Sequence, residues 1–149
     1  MDPSALSLEI TRTFKASPER VYAAWTDPVQ LAQWWGPDDA ETLSLEADVR
    51  VGGDFIWRLR TPDGEEMQSV GKFLELVPAE RISFSWKWDD DEDWAKVPST
   101  ITVHLAPKEG GTEMRFHHVG FPSETSRGNH QGGWESTLGR LAKMLEAEG

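Results

Sequence analysis

The hydrophobic period changes three times along this chain. From about residue 42 to residue 120 apolar side chains recur at every second position, as they do over 6–14, and in the segments between and after these they recur at helical spacing. Alternation buries one face of a strand, whereas spacing of three or four buries one stripe of a helix. The predicted strands are 42–48, 54–61, 66–77, 81–88, 99–106 and 112–119, with an earlier one over 6–14. In the first, Leu6, Leu8, Ile10 and Phe14 alternate with Ser7, Glu9 and Thr11. Phe55, Trp57 and Leu59 share a face, as do Ile82, Phe84, Trp86 and Trp88, then Ile101, Val103 and Leu105, then Met114, Phe116 and His118. The segment 66–77 carries apolar residues in both phases, which a bulge explains. Short connections such as Val51-Gly52-Gly53, Pro62-Asp63-Gly64 and Lys108-Glu109-Gly110-Gly111 make the sheet antiparallel, because parallel strands need long crossovers.

Two start signals interrupt this pattern early. Ser17-Pro18-Glu19 reads as an N-cap, a Pro at the first helical position and an acid in the first turn, and Asp27-Pro28 repeats the device. The first short helix presents Val21, Tyr22 and Trp25, the second Leu31, Trp34 and Trp35, and Gly36-Pro37 ends it. At the other end, over 124–148, Trp134, Leu138, Leu141 and Leu145 form one stripe. Gly128, Gly132 and Gly133 weaken the first part of that helix on propensity. The order of strand, two short helices, six strands and one long helix is α+β, with the long helix burying its stripe on the sheet.

The chain, at 149 residues, is one domain, 1–149, able to bury roughly 70% of its unfolded surface without a metal or disulfide. Its net charge of -11 disfavours nucleic acid and anionic lipid as partners. Cys is absent, which removes thiolate metal sites and a Cys nucleophile and is compatible with a cytoplasmic location. No stretch approaches a membrane span, and the start MDPSALSLEITRTF does not read as a signal peptide.

Further residues together point to a family. They are Phe14 to Tyr22, Ala24-Trp25-Thr26-Asp27-Pro28, Leu31 with Trp34-Trp35-Gly36-Pro37, Val51-Gly52-Gly53-Asp54-Phe55 and Gly71 to Pro78 with Glu80-Arg81-Ile82. Gly111-Thr112-Glu113-Met114, His118-Val119-Gly120-Phe121, His130 and Gly133-Trp134 to Leu141 complete the series. In this order the chain resembles the START-like (SRPBCC) superfamily, and within it the family named after the activator of heat-shock-protein-90 ATPase. The resemblance implies a helix-grip fold: a curved antiparallel sheet wrapped around the C-terminal helix, with a cavity between them for a largely apolar small molecule.

Eight Trp against one Tyr leave two uses for the rings, core filling or pocket wall. The expected cavity residues are Trp57, Phe84, Trp86, Met114, Phe116, His118, Trp134 and Leu138, and Trp34, Trp35 and His130 are expected at its mouth. Adjacent Trp34 and Trp35 cannot both enter one narrow helical stripe, so one of them is expected half exposed. His118 points inward, either as a hydrogen-bonded core residue or as a polar group aimed at a ligand, and His130 would join it if the two meet. His117 and His118 face opposite ways and no HExxH spacing occurs, so no metal and no cofactor are expected. The acids Asp89 to Asp93 read as a solvated hairpin loop. Three functions follow in order: binding an apolar or aromatic molecule without chemistry; a cyclase or hydrolase using His118 with Glu75 or Asp54; and a chaperone cofactor or other protein-interaction module.

Overall fold

The structure, a computed structural model, describes residues 6–36, 39–89, 91–95 and 99–147, with residues 93, 95 and 147 by backbone alone. The opening segment 1–5, the helix-stop Pro37 and the acidic-run member Asp90 lie outside the described residues. The first strand, β1 (Ser7–Phe14), leads to two short helices, α1 (Pro18–Thr26) and α2 (Pro28–Trp34). Next come β2 (Glu41–Ala47), β3 (Asp54–Arg60), β4 (Glu66–Val77), β5 (Arg81–Ser85), β6 (Lys87–Trp88) and a single-turn helix α3 (Glu92–Ala95). The chain then forms β7 (Thr100–Lys108), β8 (Gly111–Val119) and the long helix α4 (Glu124–Ala147).

All pairings are antiparallel, and the sheet runs β1-β8-β7-β5-β4-β3-β2, with β6 beside β4. It curls around α4, which makes this a helix-grip fold. The caps form as the dipeptide signals require. Ser17 Oγ accepts from the Arg20 N–H (3.1 Å), and Asp27 Oδ1 accepts from the Val29 N–H (3.0 Å). Asp27 also ends α1, its own N–H donating to the Ala23 carbonyl, so one residue turns the chain between two helices. The Gln30 side chain and the backbone N–H groups of α2 hold its carboxyl below the usual range.

The double phase of 66–77 resolves as a register shift between Phe73 and Glu75. Leu74 is the extra residue and is exposed, while Phe73 opposite Phe84 and Leu76 opposite Ile82 stay on the inner face. The run 81–88 is not one continuous strand. It breaks at Trp86, whose N–H donates to the Ser99 carbonyl (3.0 Å). The acidic run is not simply a hairpin loop either. Asp91 Oδ1 accepts from the Trp94 N–H (3.4 Å), so an acid of the run caps α3, and Trp94 is buried. Asp89, Asp91 and Glu92 are exposed, as a solvated segment requires.

The helix α4 is continuous from Glu124 despite its glycines, because Trp134, Leu138, Leu141 and Leu145 are all buried against the sheet. Tertiary packing of an amphipathic face overrides the poor propensity. Arg140 ties α4 to the end of α2, donating to the carbonyls of Gly36 (2.8 Å), Trp35 (3.3 Å) and Gln33 (3.3 Å). A helix C-terminus leaves such carbonyls without intrahelical partners, and a guanidinium complements them. No helix among the described residues is long and apolar enough to cross a membrane.

Candidate functional site

The two adjacent Trp correct the expectation of half exposure: Trp34 is 0% exposed and Trp35 1%. The reason is local. Trp35 is the C-cap of α2, with extended φ and ψ of -68° and 135°, so its side chain is freed from the helical stripe that Trp34 follows. Trp34 packs toward α1, its indole N–H donating to the Ala24 carbonyl (3.0 Å). Trp35 turns under the sheet, with ring centroids 5.2–6.0 Å from Phe55, Trp57, Trp86 and Trp134.

A pocket of about 260 Å³ lies where the β2–β3–β4 wing of the sheet faces the first half of α4. Trp35, Gly36, Asp39 and Ala40 close it from the segment after α2; Trp57, Leu59, Met67, Trp86 and Trp88 wall it from the sheet. Helix α4 contributes Asn129, His130, Gly133, Trp134 and Thr137, and the β3–β4 turn adds Thr61 and Pro62. Gly36 occupies φ +99°, and a Cβ there would stand 2.9 Å from the Trp57 ring, so the turn requires glycine twice over. A Cβ on Gly133 would meet nothing within 4 Å: the helix backbone is bare toward the space it borders.

Of the expected cavity residues, Trp57, Trp86 and Trp134 line this pocket, as do Trp35 and His130 from the expected mouth. Phe84, Met114, Phe116, His118 and Leu138 are buried but lie in the core outside the lining, and Trp34 is likewise core. Trp88, Met67, Gly133 and Thr137 line the pocket and were not among the expected cavity residues. A signal for the helical ones existed: Asn129, Gly133 and Thr137 sit four apart, beside the stripe that begins at Trp134.

The two inward histidines are both locked as neutral rings. The Trp134 indole N–H donates to His118 Nδ1 (3.1 Å). An indole nitrogen only donates, so Nδ1 carries no proton, and the proton sits on Nε2, which donates to Ser99 Oγ (2.6 Å). His130 has the opposite tautomer: Nε2 accepts from the Trp88 indole (2.8 Å), and Nδ1 donates to the Ser126 carbonyl (2.7 Å). The rings stand 6.5 Å apart, each satisfied by its own tryptophan rather than by the other. Burial first, then the neighbouring His130 and His117, keeps the His118 pKa well below its ordinary 6.5. Burial also lowers that of His130, against the opposing pull of the Ser126 carbonyl.

The two carboxylates expected to serve acid–base chemistry, Asp54 and Glu75, are not in the pocket lining, whose described carboxylate is Asp39. Asp54 is exposed and paired with Lys72 (2.6 Å), and Glu75 is exposed and paired with Arg81 (3.0 Å). Asp54 and Lys72 help wall a second, polar hollow of about 480 Å³ with Ser85, Lys87 and Trp94. No group of three or more metal-ligating side chains occurs among the described residues.

The fold and the helix-facing pocket define a helix-grip protein. The sequence profile of the family described as "Activator of Hsp90 ATPase homolog 1-like protein" matches residues 15–146, and the chain belongs to that family. No curated protein matches it significantly. Among solved structures, protein CV1439 from Chromobacterium violaceum is similar at 34% identity and TM-score 0.83, covering 94% of this chain and 96% of that one. The AHSA1 protein from Silicibacter pomeroyi matches at 26% identity and TM-score 0.85, over 97% of this chain and 100% of that one. Protein Ms6760 from Mycobacterium smegmatis matches at 25% identity and TM-score 0.77, over 97% and 93%.

Proposed function

We propose that the chain acts as a single START-like domain, in the cytoplasm, that holds one small, largely apolar molecule between sheet and α4 without transforming it. The observation that carries this reading is the pocket itself. Its walls include five indoles, and the glycine at 133 leaves the facing helix open. Size supports it: an apolar cavity of about 150 Å³ already accepts benzene, and this one is about 260 Å³. A binding role is favoured over an enzyme because both ring nitrogens of His118 are engaged and neither Asp54 nor Glu75 borders the pocket. The carboxylate that does border the pocket, Asp39, is exposed at the rim and makes no hydrogen bond to either histidine, so the described lining offers no paired acid and base for proton transfer.

Iodobenzene tests the reading, since a heavy atom in contact with an indole quenches its emission. Saturable quenching is expected, with a rise in unfolding free energy of about 2.7 kcal/mol at a hundredfold excess over the dissociation constant. Native mass spectrometry of freshly purified protein adds the resident molecule's mass. Quenching that never saturates, with no stabilisation, overturns the reading and favours a protein-interaction role.

A further inference from the structure

The polar inventory of the same pocket says what the bound molecule carries. Every indole N–H of its walls is withheld from the cavity. Those of Trp57, Trp88 and Trp134 donate to Thr42 Oγ1 (3.0 Å), His130 Nε2 (2.8 Å) and His118 Nδ1 (3.1 Å). Those of Trp35 and Trp86 have no hydrogen-bond partner among the described residues, but they are buried with essentially no accessible surface. Thr137 donates its hydroxyl to the Gly133 carbonyl (2.8 Å), and Thr61 is bound within its own turn. The neutral His130 has both nitrogens engaged.

No Lys or Arg is among the described lining residues, and Arg140, which serves the carbonyls of α2's end, is not part of the wall. Apart from the two buried indoles of Trp35 and Trp86, the polar lining side chains with no hydrogen bond or ion pair among the described residues are the Asp39 carboxylate and the Asn129 amide, both exposed at the rim. A carboxylate or sulfonate entering this pocket finds no cation, and only the rim amide as a side-chain donor. A cation finds ring π-systems and one carboxylate. The indoles are inclined to one another, Trp35 at 88° to Trp57 and 67° to Trp134, and Trp86 at 76° to Trp88. They pack against one another, with centroids 5.1–6.1 Å apart, so the pocket borders an indole cluster that presents both ring faces and ring edges. Indole faces attract ammonium groups through the ring quadrupole, and a net charge of -11 draws cations toward the molecule from solution.

We propose that the ligand of this pocket is an organic cation, an apolar or aromatic body bearing a substituted ammonium group, with the charge against the indole wall and Asp39 at the rim. The proposal rests on the binding role above and specifies its ligand class.

Three probes of one shape test it: benzyltrimethylammonium, the uncharged neopentylbenzene and the anionic phenylmethanesulfonate, titrated by calorimetry in matched cosolvent. The cation is expected to bind about tenfold or more tightly than the hydrocarbon, and the sulfonate not at all over the same range. Asp39→Asn should weaken the cation alone, by up to about fivefold for an exposed pair. Trp88→Leu should weaken the cation more than the hydrocarbon; if that variant does not fold, the wild-type series decides. Equal or tighter binding of the hydrocarbon, or sulfonate binding as strong as the cation's, overturns the cation assignment and leaves the binding role standing. A pocket that takes none of the three overturns both.

Discussion

Gly133 is where stability and ligand binding are expected to oppose one another. It lies inside α4, half-buried, on the pocket wall, and a Cβ placed on it meets no atom within 4 Å. Gly132 next to it is also helical and also free of any Cβ contact, but it is exposed and outside the pocket lining. In a helix interior, glycine is about 0.8–1.0 kcal/mol worse than alanine, through the backbone freedom it surrenders on folding. With no clash to subtract, Gly132→Ala and Gly133→Ala should each stabilise the protein by roughly 0.5–1 kcal/mol. For a chain of this size that is about 1–4 °C in melting temperature. Binding should separate the two positions when the side chain at 133 is larger. Gly132→Ala leaves affinity for benzyltrimethylammonium or iodobenzene unchanged, and Gly133→Leu, which sends four carbons into a space of about 260 Å³, lowers it about tenfold or more. Urea unfolding with matched m-values measures the first effect and calorimetric titration the second. Destabilisation by Gly133→Ala would show that the wall is not open there. Unchanged binding by folded Gly133→Leu would place the ligand elsewhere.

The remaining predictions concern the histidines and the packing. Because burial depresses the His118 and His130 pKa values below 6.5, the unfolded chain binds more protons than the folded one as pH falls through that value. Stability should therefore be full above pH 6.5 and fall below it, with a slope approaching about 1.4 kcal/mol per pH unit for each ring. Urea midpoints between pH 7.5 and 5.5 check this; His118→Gln should remove its share of the slope, and a flat profile would refute the neutral assignment. Leu141→Ala, at a fully buried position of the α4 stripe, should cost about 2–5 kcal/mol, and an unchanged melting temperature would count against the packing of α4 on the sheet. Gly71→Ala should act oppositely to Gly133→Ala, destabilising by about 1–3 kcal/mol. Its Cβ would stand 1.9 Å from the Ser85 backbone oxygen.

Local rules carried the architecture because they concern residues adjacent in sequence. Alternation identified the inner faces of β3, β5, β7 and β8, and Ser17 and Asp27 marked both short helices through hydrogen bonds spanning two or three residues. Even the irregular β4 announced its bulge, because Phe73 and Leu76 lie in opposite phases and both must face inward. The failures occurred where one backbone torsion or one cap overrode a pattern. Trp35 leaves the helical stripe at a ψ of 135°, and Asp91 turns part of an acidic run into a helical turn that buries Trp94.

The pocket boundary was illegible for a different reason. Alternation assigns a side chain to a face but not to a place along that face. Phe84 and Trp86 share a phase on one run, yet only Trp86 reaches the pocket. Met114, Phe116 and His118 share another phase, and all three lie in the core. What separates the two sets is where α4 crosses the curled sheet and where its surface is bare. Beneath Leu138, Leu141 and Leu145 the stripe is leucine and the inner face is filled; around Gly133 the helix withdraws and space remains. An indole in the filled region is core by necessity. Two positions beyond Phe84, at the break after β5 where the facing helix carries glycine, Trp86 becomes a wall, so a helix-grip protein of this kind can reshape this pocket at position 133 without altering the hydrophobic pattern that folds it.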